Sequence, residues 1–124
     1  KNEEYFEDEF FCGTPDVILD DKIIDIKSSW DCFSFPLFFN SIPNKDYYYQ
    51  LQTYMYLTGK TKAQLVYVLM NTPDELTFEE SFDYTEINSK YRIKIFDIDY
   101  DEDVIEELKN KVIESREYIK TLCK

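Results

Sequence analysis

The sequence has few cysteines, and those it has are poorly placed to bind a metal or build a disulfide framework. Cys12, Cys32 and Cys123 are odd in number and far apart, and they form no CxxC pair. A zinc ribbon or a disulfide scaffold is therefore disfavoured. Three cysteines also cannot supply the four thiolates of an iron–sulfur cluster within this chain. We expect a protein of a reducing compartment such as the cytoplasm.

Long apolar runs are absent as well. No stretch approaches the roughly 20 apolar residues that cross a bilayer, and no signal-peptide pattern is found. We therefore expect no membrane partner. The 124 residues are enough for a single domain with one core. Lys1 stands where an initiator methionine would, and we expect the chain to be a fragment or a processed product.

Positive charge is also scarce. The chain has 14 basic and 26 acidic residues and a net charge of −12. This disfavours a general polyanion-binding protein, because nonspecific affinity for nucleic acid comes largely from Lys and Arg on phosphates. It leaves room for a metal-dependent nuclease, whose acidic ligands add to the count and whose cations offset them. Of the three regions 1–27, 28–71 and 72–124, the middle one alone is not acidic, with three basic and two acidic residues.

Aromatic residues, by contrast, are abundant, with 11 Tyr and 10 Phe. Most are predicted to be core or half-buried sheet residues, and a few are candidates for stacking on bases. Residues 29–45 hold four phenylalanines and two prolines. We expect this segment to be an apolar loop that packs down or makes contacts, because a free loop would expose a large apolar patch.

The stretch from Gly13 to Lys27 is predicted to form a β-hairpin that turns at Asp20–Asp21. In that register Asp16 faces Asp25, and like charges at the short distance between paired strand residues repel. Lys27 projects from the same face as Asp25, because strand side chains alternate. Two carboxylates side by side with a lysine indicate a bound cation. The alternative is a surface salt bridge among the same three residues.

The remaining elements are predicted from periodicity and capping signals. Asp46 is the predicted N-cap of the first helix and Gly59 its end, while Asp101 or Asp103 caps the second, with Glu106 completing a capping box. Residues 71–89 are polar and ambiguous. The predicted order after the hairpin strands Phe10–Leu19 and Lys22–Ser28 is helix, strand, strand, helix, at Asp46–Leu57, Ala63–Met70, Tyr91–Tyr100 and Asp101–Leu122. This order predicts an α/β (α+β) domain with helices packed on a mixed sheet.

The spacing of these residues resembles a known nuclease signature. Asp16 followed by Asp25-Ile26-Lys27, with Pro15 before it, is similar to the motif of the PD-(D/E)xK nuclease superfamily. The segment Tyr47–Met55, which contains Gln50 and Tyr54, resembles the QxxxY helix of the RecB-like and lambda-exonuclease-like (YqaJ-type) branches. The resemblance implies a restriction-endonuclease-like mixed β-sheet flanked by helices. It also implies one nuclease-like domain over residues 1–124, without the N-terminal helix of the full family fold.

The resemblance implies a role for each residue of the signature. Asp16, Asp25 and the backbone carbonyl of Ile26 are the expected ligands of Mg²⁺ or Mn²⁺, which prefer hard oxygen donors. Lys27 is expected to orient the attacking water and to stabilise charge on the phosphate. Gln50 would contact Lys27 or the scissile phosphate, and Tyr54 would support the site.

Two details of the site stay open in the sequence. Gln52 and Tyr56 repeat the spacing of Gln50 and Tyr54 on another face of the helix, so either pair fits the motif, and the first is favoured. The serines that follow Lys27, at positions 28 and 29, are candidates for contact with DNA phosphate and equally for ordinary polar residues at a strand end.

The expected function is metal-dependent hydrolysis of DNA. The family branch implies a phage-type exonuclease in recombination or repair, acting in the cytoplasm of a bacterium or a phage-infected host cell. DNA is the expected partner, with a homo-oligomer or a larger parent assembly as a further possibility. Two alternatives remain: a nuclease-fold docking module that no longer cuts, and an acidic interaction protein that mimics DNA.

Overall fold

The computed structural model of the chain describes residues 1–71 and 83–123. Two helices and six strands make up its regular structure, together with a short 3₁₀ turn at Ser89–Tyr91. The strands are β1 Phe6–Glu7, β2 Cys12–Gly13, β3 Val17–Ile18, β4 Ile23–Ser29, β5 Lys62–Leu69 and β6 Ile93–Asp99, and the helices are α1 Lys45–Thr58 and α2 Glu102–Leu122.

The main sheet has four strands in the order β3-β4-β5-β6. β3 is antiparallel to β4, β4 is parallel to β5, and β5 is antiparallel to β6. Since parallel neighbours need a crossover connection, the segment between β4 and β5 contains α1. β1 and β2 form a separate two-stranded antiparallel sheet. The predicted mixed sheet with helices, and its restriction-endonuclease-like fold class, are confirmed.

The register of the predicted hairpin is confirmed, but the length of its first strand is wrong. Val17 pairs with Ile24 and Ile18 with Ile23. The predicted strand Phe10–Leu19 is interrupted before Asp16, and its first half pairs with β1 instead of β4. Pro15 explains the break, because it has no N–H to continue a ladder. The carbonyls of Pro15 and Asp16 accept hydrogen bonds from the side chain and backbone of Asn2, at 2.9 and 2.8 Å.

Both helices begin and end close to their predicted bounds, with corrected caps. Asn44, and not Asp46, caps α1, and its side chain accepts a hydrogen bond from the Asp46 N–H at 2.9 Å. Gly59 ends the helix with a φ of 75°, a conformation that glycine adopts without steric cost.

Asp101 caps α2, and its side chain accepts a hydrogen bond from the Asp103 N–H. The predicted capping box of Asp103 with Glu106 is therefore wrong, because the residue three positions after the cap is Val104.

The core lies between α1 and one face of the main sheet. Leu51 and Met55 of α1 are fully buried against Ile23 and Leu65 of the sheet. The apolar stripe predicted along α2 is buried at one end alone: Ile105 is buried, while Ile119 and Leu122 are exposed. Among residues 1–71 and 83–123, neither helix has the length and apolar composition to cross a membrane.

Two predicted segments of irregular structure have different outcomes. Residues 29–45 pack down in part: Phe35 and Pro36 are buried, whereas Phe38 is exposed. The ambiguous stretch 71–89 falls largely on residues 72–82, which lie outside the described residues.

Candidate active site

The candidate site begins on β4, whose alternation turns Asp25 and Lys27 toward α1. Asp25 is 3% exposed, and no other charged side chain is buried among residues 1–71 and 83–123. The Nζ of Lys27 lies 2.9 Å from Oδ2 of Asp25, which makes a largely buried ion pair. The pair therefore lies under α1, where few carboxylates are tolerated without a partner.

Asp16 reaches the same strand from the other side of the hairpin. Its Oδ2 accepts a hydrogen bond from the backbone N–H of Ile26 at 2.9 Å. In a strand, the N–H and carbonyl of one residue point to the same side, so the Ile26 carbonyl also points toward the Asp16 side. The residue opposite Ile26, if the β3–β4 register is continued, is Pro15, which has no N–H to donate. The proline before Asp16 thus leaves this carbonyl open to another ligand.

α1 supplies a hydrogen-bonded support for the lysine. Lys27 Nζ donates to Gln50 Oε1 at 3.1 Å, and Gln50 Nε2 donates to the hydroxyl of Tyr54 at 3.0 Å. Gln50 and Tyr54 are one helical turn apart, which places both on the face toward β4. The amide of Gln50 therefore links the lysine to the helix, and Tyr54 fixes the orientation of that amide.

The second Gln/Tyr pair lies elsewhere. Gln52 is fully buried, and its side chain bonds the Asp99 carbonyl at 2.8 Å and the Asp101 N–H at 2.9 Å. Tyr56 packs edge-on against Phe11, with ring centroids 5.6 Å apart. Gln52 therefore joins α1 to the β6–α2 connection, and the structure brings Gln50 and Tyr54 to Lys27.

Two contacts at the site were not predicted from the sequence. The ring of Tyr47 lies 4.4 Å from Lys27 Nζ, a cation–π distance. Its position three residues before Gln50 is a helical-face signal that could have identified it. Gly13 lies against Tyr54: a Cβ at Gly13 would be 2.5 Å from Cε1 of the buried ring. A glycine here is required by close approach.

Burial dominates the electrostatics of the site. It raises the pKa of the Asp25 carboxyl, opposed by the Lys27 ammonium and reinforced by the negative charge of Asp16. Burial also raises the pKa of Tyr67, helped by Tyr47 and the Asp25 carboxylate. The pKa values of Asp25 and Tyr67 rise for the same reason: deprotonation places a negative charge on a face of the sheet where water solvates it poorly.

The donor set fits a hard divalent cation. Oδ2 of Asp25 is buried and accepts no aligned hydrogen bond from any residue in the described part of the chain. A second carboxylate, Asp16, and the Ile26 carbonyl face the same region. The described residues contain no group of three or more His, Cys, Asp and Glu side chains placed to hold a metal, and the sequence has no histidine. Two carboxylates and a carbonyl suit Mg²⁺, which retains several waters, better than zinc.

The two serines after Lys27 diverge. Ser29 is buried on the face toward α1, and Ser28 is exposed on the opposite face. The geometry thus brings together Asp16, Asp25, Lys27, Gln50 and Tyr54, and it leaves Ser28 turned away from them.

Solved exonuclease structures share this architecture. A phage-related exonuclease from Haemophilus somnus 129PT superposes with a TM-score of 0.88 and 32% identity, over 99% of this chain and 60% of the exonuclease. The alkaline exonuclease LHK-Exo from Laribacter hongkongensis gives a TM-score of 0.63 at 18% identity, over 99% of this chain and 61% of LHK-Exo. A structure of LHK-Exo in complex with dAMP gives 0.57 at 21%, over 91% of this chain and 54% of LHK-Exo.

The likeness has a clear extent. The chain spans 60 and 61% of the length of the first two exonucleases. The likeness to LHK-Exo shows that the fold is shared. The Haemophilus protein has the same fold and is also identical to this chain at 32% of the aligned positions. No family model matches the sequence, and no curated protein matches it.

Proposed function

We propose that the chain belongs to the lambda-exonuclease-like branch of the PD-(D/E)xK nucleases and that it hydrolyses phosphodiester bonds in DNA with Mg²⁺ or Mn²⁺. The observation that carries the proposal is the buried Asp25 carboxylate, which pairs with Lys27 at 2.9 Å and lies close enough to Asp16 for that second carboxylate to raise its pKa. One ammonium offsets one carboxylate charge, whereas a divalent cation between Asp16 and Asp25 would offset both.

Asp16, Asp25 and the Ile26 carbonyl would hold the cation. Bound there, it would supply Lewis-acid polarisation of the phosphate and an acidified water. Asp25 would bind it as the carboxylate, and the positive charge would offset the cost of ionising a buried acid.

Lys27 supplies a positive charge beside the Asp25 carboxylate. Its ammonium, held by Asp25, Gln50 and the Tyr47 ring, donates hydrogen bonds and can stabilise the negative charge that builds on the attacked phosphate. Gln50 keeps the ammonium oriented, and Tyr54 keeps the Gln50 amide from rotating. No histidine is available in these 124 residues as a general base, so proton transfer falls to water and to the lysine–carboxylate pair.

DNA is the proposed substrate, and the proposed mode is exonucleolytic. The exonucleolytic mode is supported by the related structures, which are exonucleases. The DNA substrate is supported by the dAMP that is bound in one structure of LHK-Exo. The activity belongs in recombination or repair of a phage or its bacterial host, in the cytoplasm where that DNA is found. Assembly into a homo-oligomer or a larger parent protein is part of the same proposal.

The test compares linear duplex DNA with covalently closed circular DNA, in Mg²⁺ and in EDTA. The parent chain should degrade the linear form in Mg²⁺ and leave the circle intact. Asp25→Asn should abolish degradation, while the matched control Asp21→Asn, an exposed carboxylate at the hairpin turn, should cut like the parent. Equal cutting by Asp25→Asn and the parent would refute the catalytic assignment, and cutting of the circle would refute the exonuclease mode.

A docking module with the same fold and no cleavage is the second candidate. The net charge of −12 favours it, because the chain offers few cations to hold a DNA backbone. Calorimetric titration with Mn²⁺ tests whether the site binds a cation, and that binding should be lost in Asp16→Asn. The cleavage assay then separates a working nuclease from a docking module with a relic site.

A further inference from the structure

A groove of about 540 Å³ lies along β6, beside the candidate active site. One wall is β6 itself, which forms an edge of the main sheet. The other wall is the end of the apolar loop and the first turn of α1. The side chains used below line it: Phe39, Lys45, Tyr48, Lys94, Asp97 and Asp99.

The groove is joined to the active site by the register of the sheet. Lys27 pairs with Tyr67 on β5, and Tyr67 pairs with Lys94 on β6. The three residues therefore form one row on the face toward α1, and two strand spacings separate Lys27 from Lys94, or about 10 Å. A phosphodiester chain that reaches Lys27 can thus continue along the row to the groove.

Charge in the groove favours an anion at its basic side chains. Lys45 and Lys94 form no ion pair with a residue in the described ranges. Of the acidic residues of the groove, Asp99 pairs with Lys62, and Asp97 accepts a hydrogen bond from the neutral amide of Gln64 at 2.8 Å. Strand alternation places Asp97 on the face of β6 opposite to Lys94. The lysines therefore remain available for phosphate.

The groove also offers aromatic faces. Phe39 is 54% exposed at its rim, and Tyr48 is half-buried in its wall. Phe35 and Pro36, which are buried, hold the loop that carries Phe39. Exposed aromatic rings next to cations are the combination that binds unpaired nucleic acid, since bases stack on the rings while the cations contact the backbone.

We propose that this groove binds a single DNA strand next to the candidate active site. Phe39 and Tyr48 stack on its bases, and Lys45 and Lys94 contact its phosphates. The proposal rests on the proposed function, because it assigns to the same DNA substrate the path along which one strand lies. Unpaired bases are required, because a duplex keeps its base faces stacked on each other.

The test measures binding of a short fluorescein-labelled oligothymidylate by fluorescence anisotropy, in EDTA at low salt so that no cleavage occurs. Phe39→Ala should weaken binding about ten-fold, in the range that base stacking contributes. Lys94→Ala should also reduce the slope of log affinity against log salt by about 0.7, as expected for one phosphate contact on a single strand. Circular dichroism confirms that each variant is folded.

Two matched controls separate the groove from general surface effects. Phe38→Ala removes an even more exposed phenylalanine that does not line the groove, and Lys90→Ala removes a nearby lysine outside it. Both should bind like the parent. Loss of binding in the controls equal to that in the groove variants, or a parent that binds no oligonucleotide, overturns the proposal.

The outcomes also distinguish this proposal from the nuclease itself. If the parent degrades linear DNA but Phe39→Ala binds the oligonucleotide as tightly as the parent, the groove proposal is refuted and the nuclease proposal stands. Groove-dependent binding without any cleavage supports the groove and refutes the nuclease. Binding of an unstructured peptide in place of the oligonucleotide, with the same dependence on Phe39, refutes the assignment to DNA.

Discussion

The two faces of the four-stranded sheet differ in what covers them, and the candidate site lies on the covered face. Asp25, Leu65 and Phe96 form a row toward α1 in which no residue is more than 6% exposed. The next row, Ile26, Val66 and Ile95, faces away, and Ile26 and Ile95 stay 46 and 48% exposed. Adjacent residues of one strand thus have very different surroundings. Burial distinguishes Asp25 from the exposed carboxylates of the same sheet, such as Asp97.

The largest expected contrast is between two lysines. Lys27→Ala should lower the rate of DNA hydrolysis about a thousand-fold, because it removes the cation aimed at the developing phosphate charge. Lys62→Ala, on the exposed face, removes an ion pair with Asp99 and should leave the rate unchanged. Single-turnover rates on linear duplex DNA measure both. A similar loss in both variants would contradict the contrast between the faces.

Core packing gives the next contrast, in the free energy of unfolding. Leu65→Ala should destabilise the protein by about 2–5 kcal/mol, the range for deleting a fully buried leucine side chain. Ile95→Ala removes a similar side chain from the other face and should cost less than about 1 kcal/mol. Urea denaturation followed by circular dichroism tests this. Equal costs would show that the second face is covered as well as the first.

A divalent cation that binds at Asp25, on the face of the sheet covered by α1, should stabilise the folded chain. Mg²⁺ or Mn²⁺ at about 100 times its dissociation constant should add about 2.7 kcal/mol to the free energy of unfolding. The gain should vanish in Asp25→Asn and persist in Asp21→Asn, whose carboxylate is exposed at the hairpin turn. Thermal unfolding with and without EDTA provides the measurement. A cation effect that survives in Asp25→Asn would place the binding site elsewhere.

The smallest effect concerns pH and the metal-free protein. The pKa of Asp25 is raised in the folded state, so its neutral form contributes stability that is fully present below the unfolded value. That contribution is lost as the pH rises through the raised folded value. Relative to Asp25→Asn, the metal-free parent should therefore lose stability as the pH rises from about 4. Urea denaturation of both chains in EDTA across that range would show a constant difference if the shift were absent.

The hairpin was predictable because its signals are local. A turn pair fixed the register, and strand alternation then placed Asp25 and Lys27 on one face. Gln50 and Tyr54 followed from helical spacing, although the sequence alone left Gln52 and Tyr56 as an alternative. In the structure Gln50 contacts Lys27, whereas Gln52 bonds the β6–α2 connection, and those bonds exist only once the strands and helices have packed.

Other features depended on partners that no local pattern reveals. The apolar stripe of α2 identifies the side chains that a packed element would bury. It does not show whether such an element covers the whole helix. Ile119 and Leu122 are exposed for this reason. Pro15 explains the break of the first hairpin strand, but no local pattern reveals that Asn2 donates to the carbonyls of Pro15 and Asp16.

The contact between Gly13 and Tyr54 has a consequence for how this sequence can vary. Gly13 carries no functional group, yet the space above its Cα is the space that the Tyr54 ring occupies. A methyl group there would displace the ring, then the Gln50 amide, and then the ammonium of Lys27. Any lineage or design that replaces Gly13 must therefore change the residue at position 54 as well. The two positions should be inherited as one unit, although 40 residues lie between them.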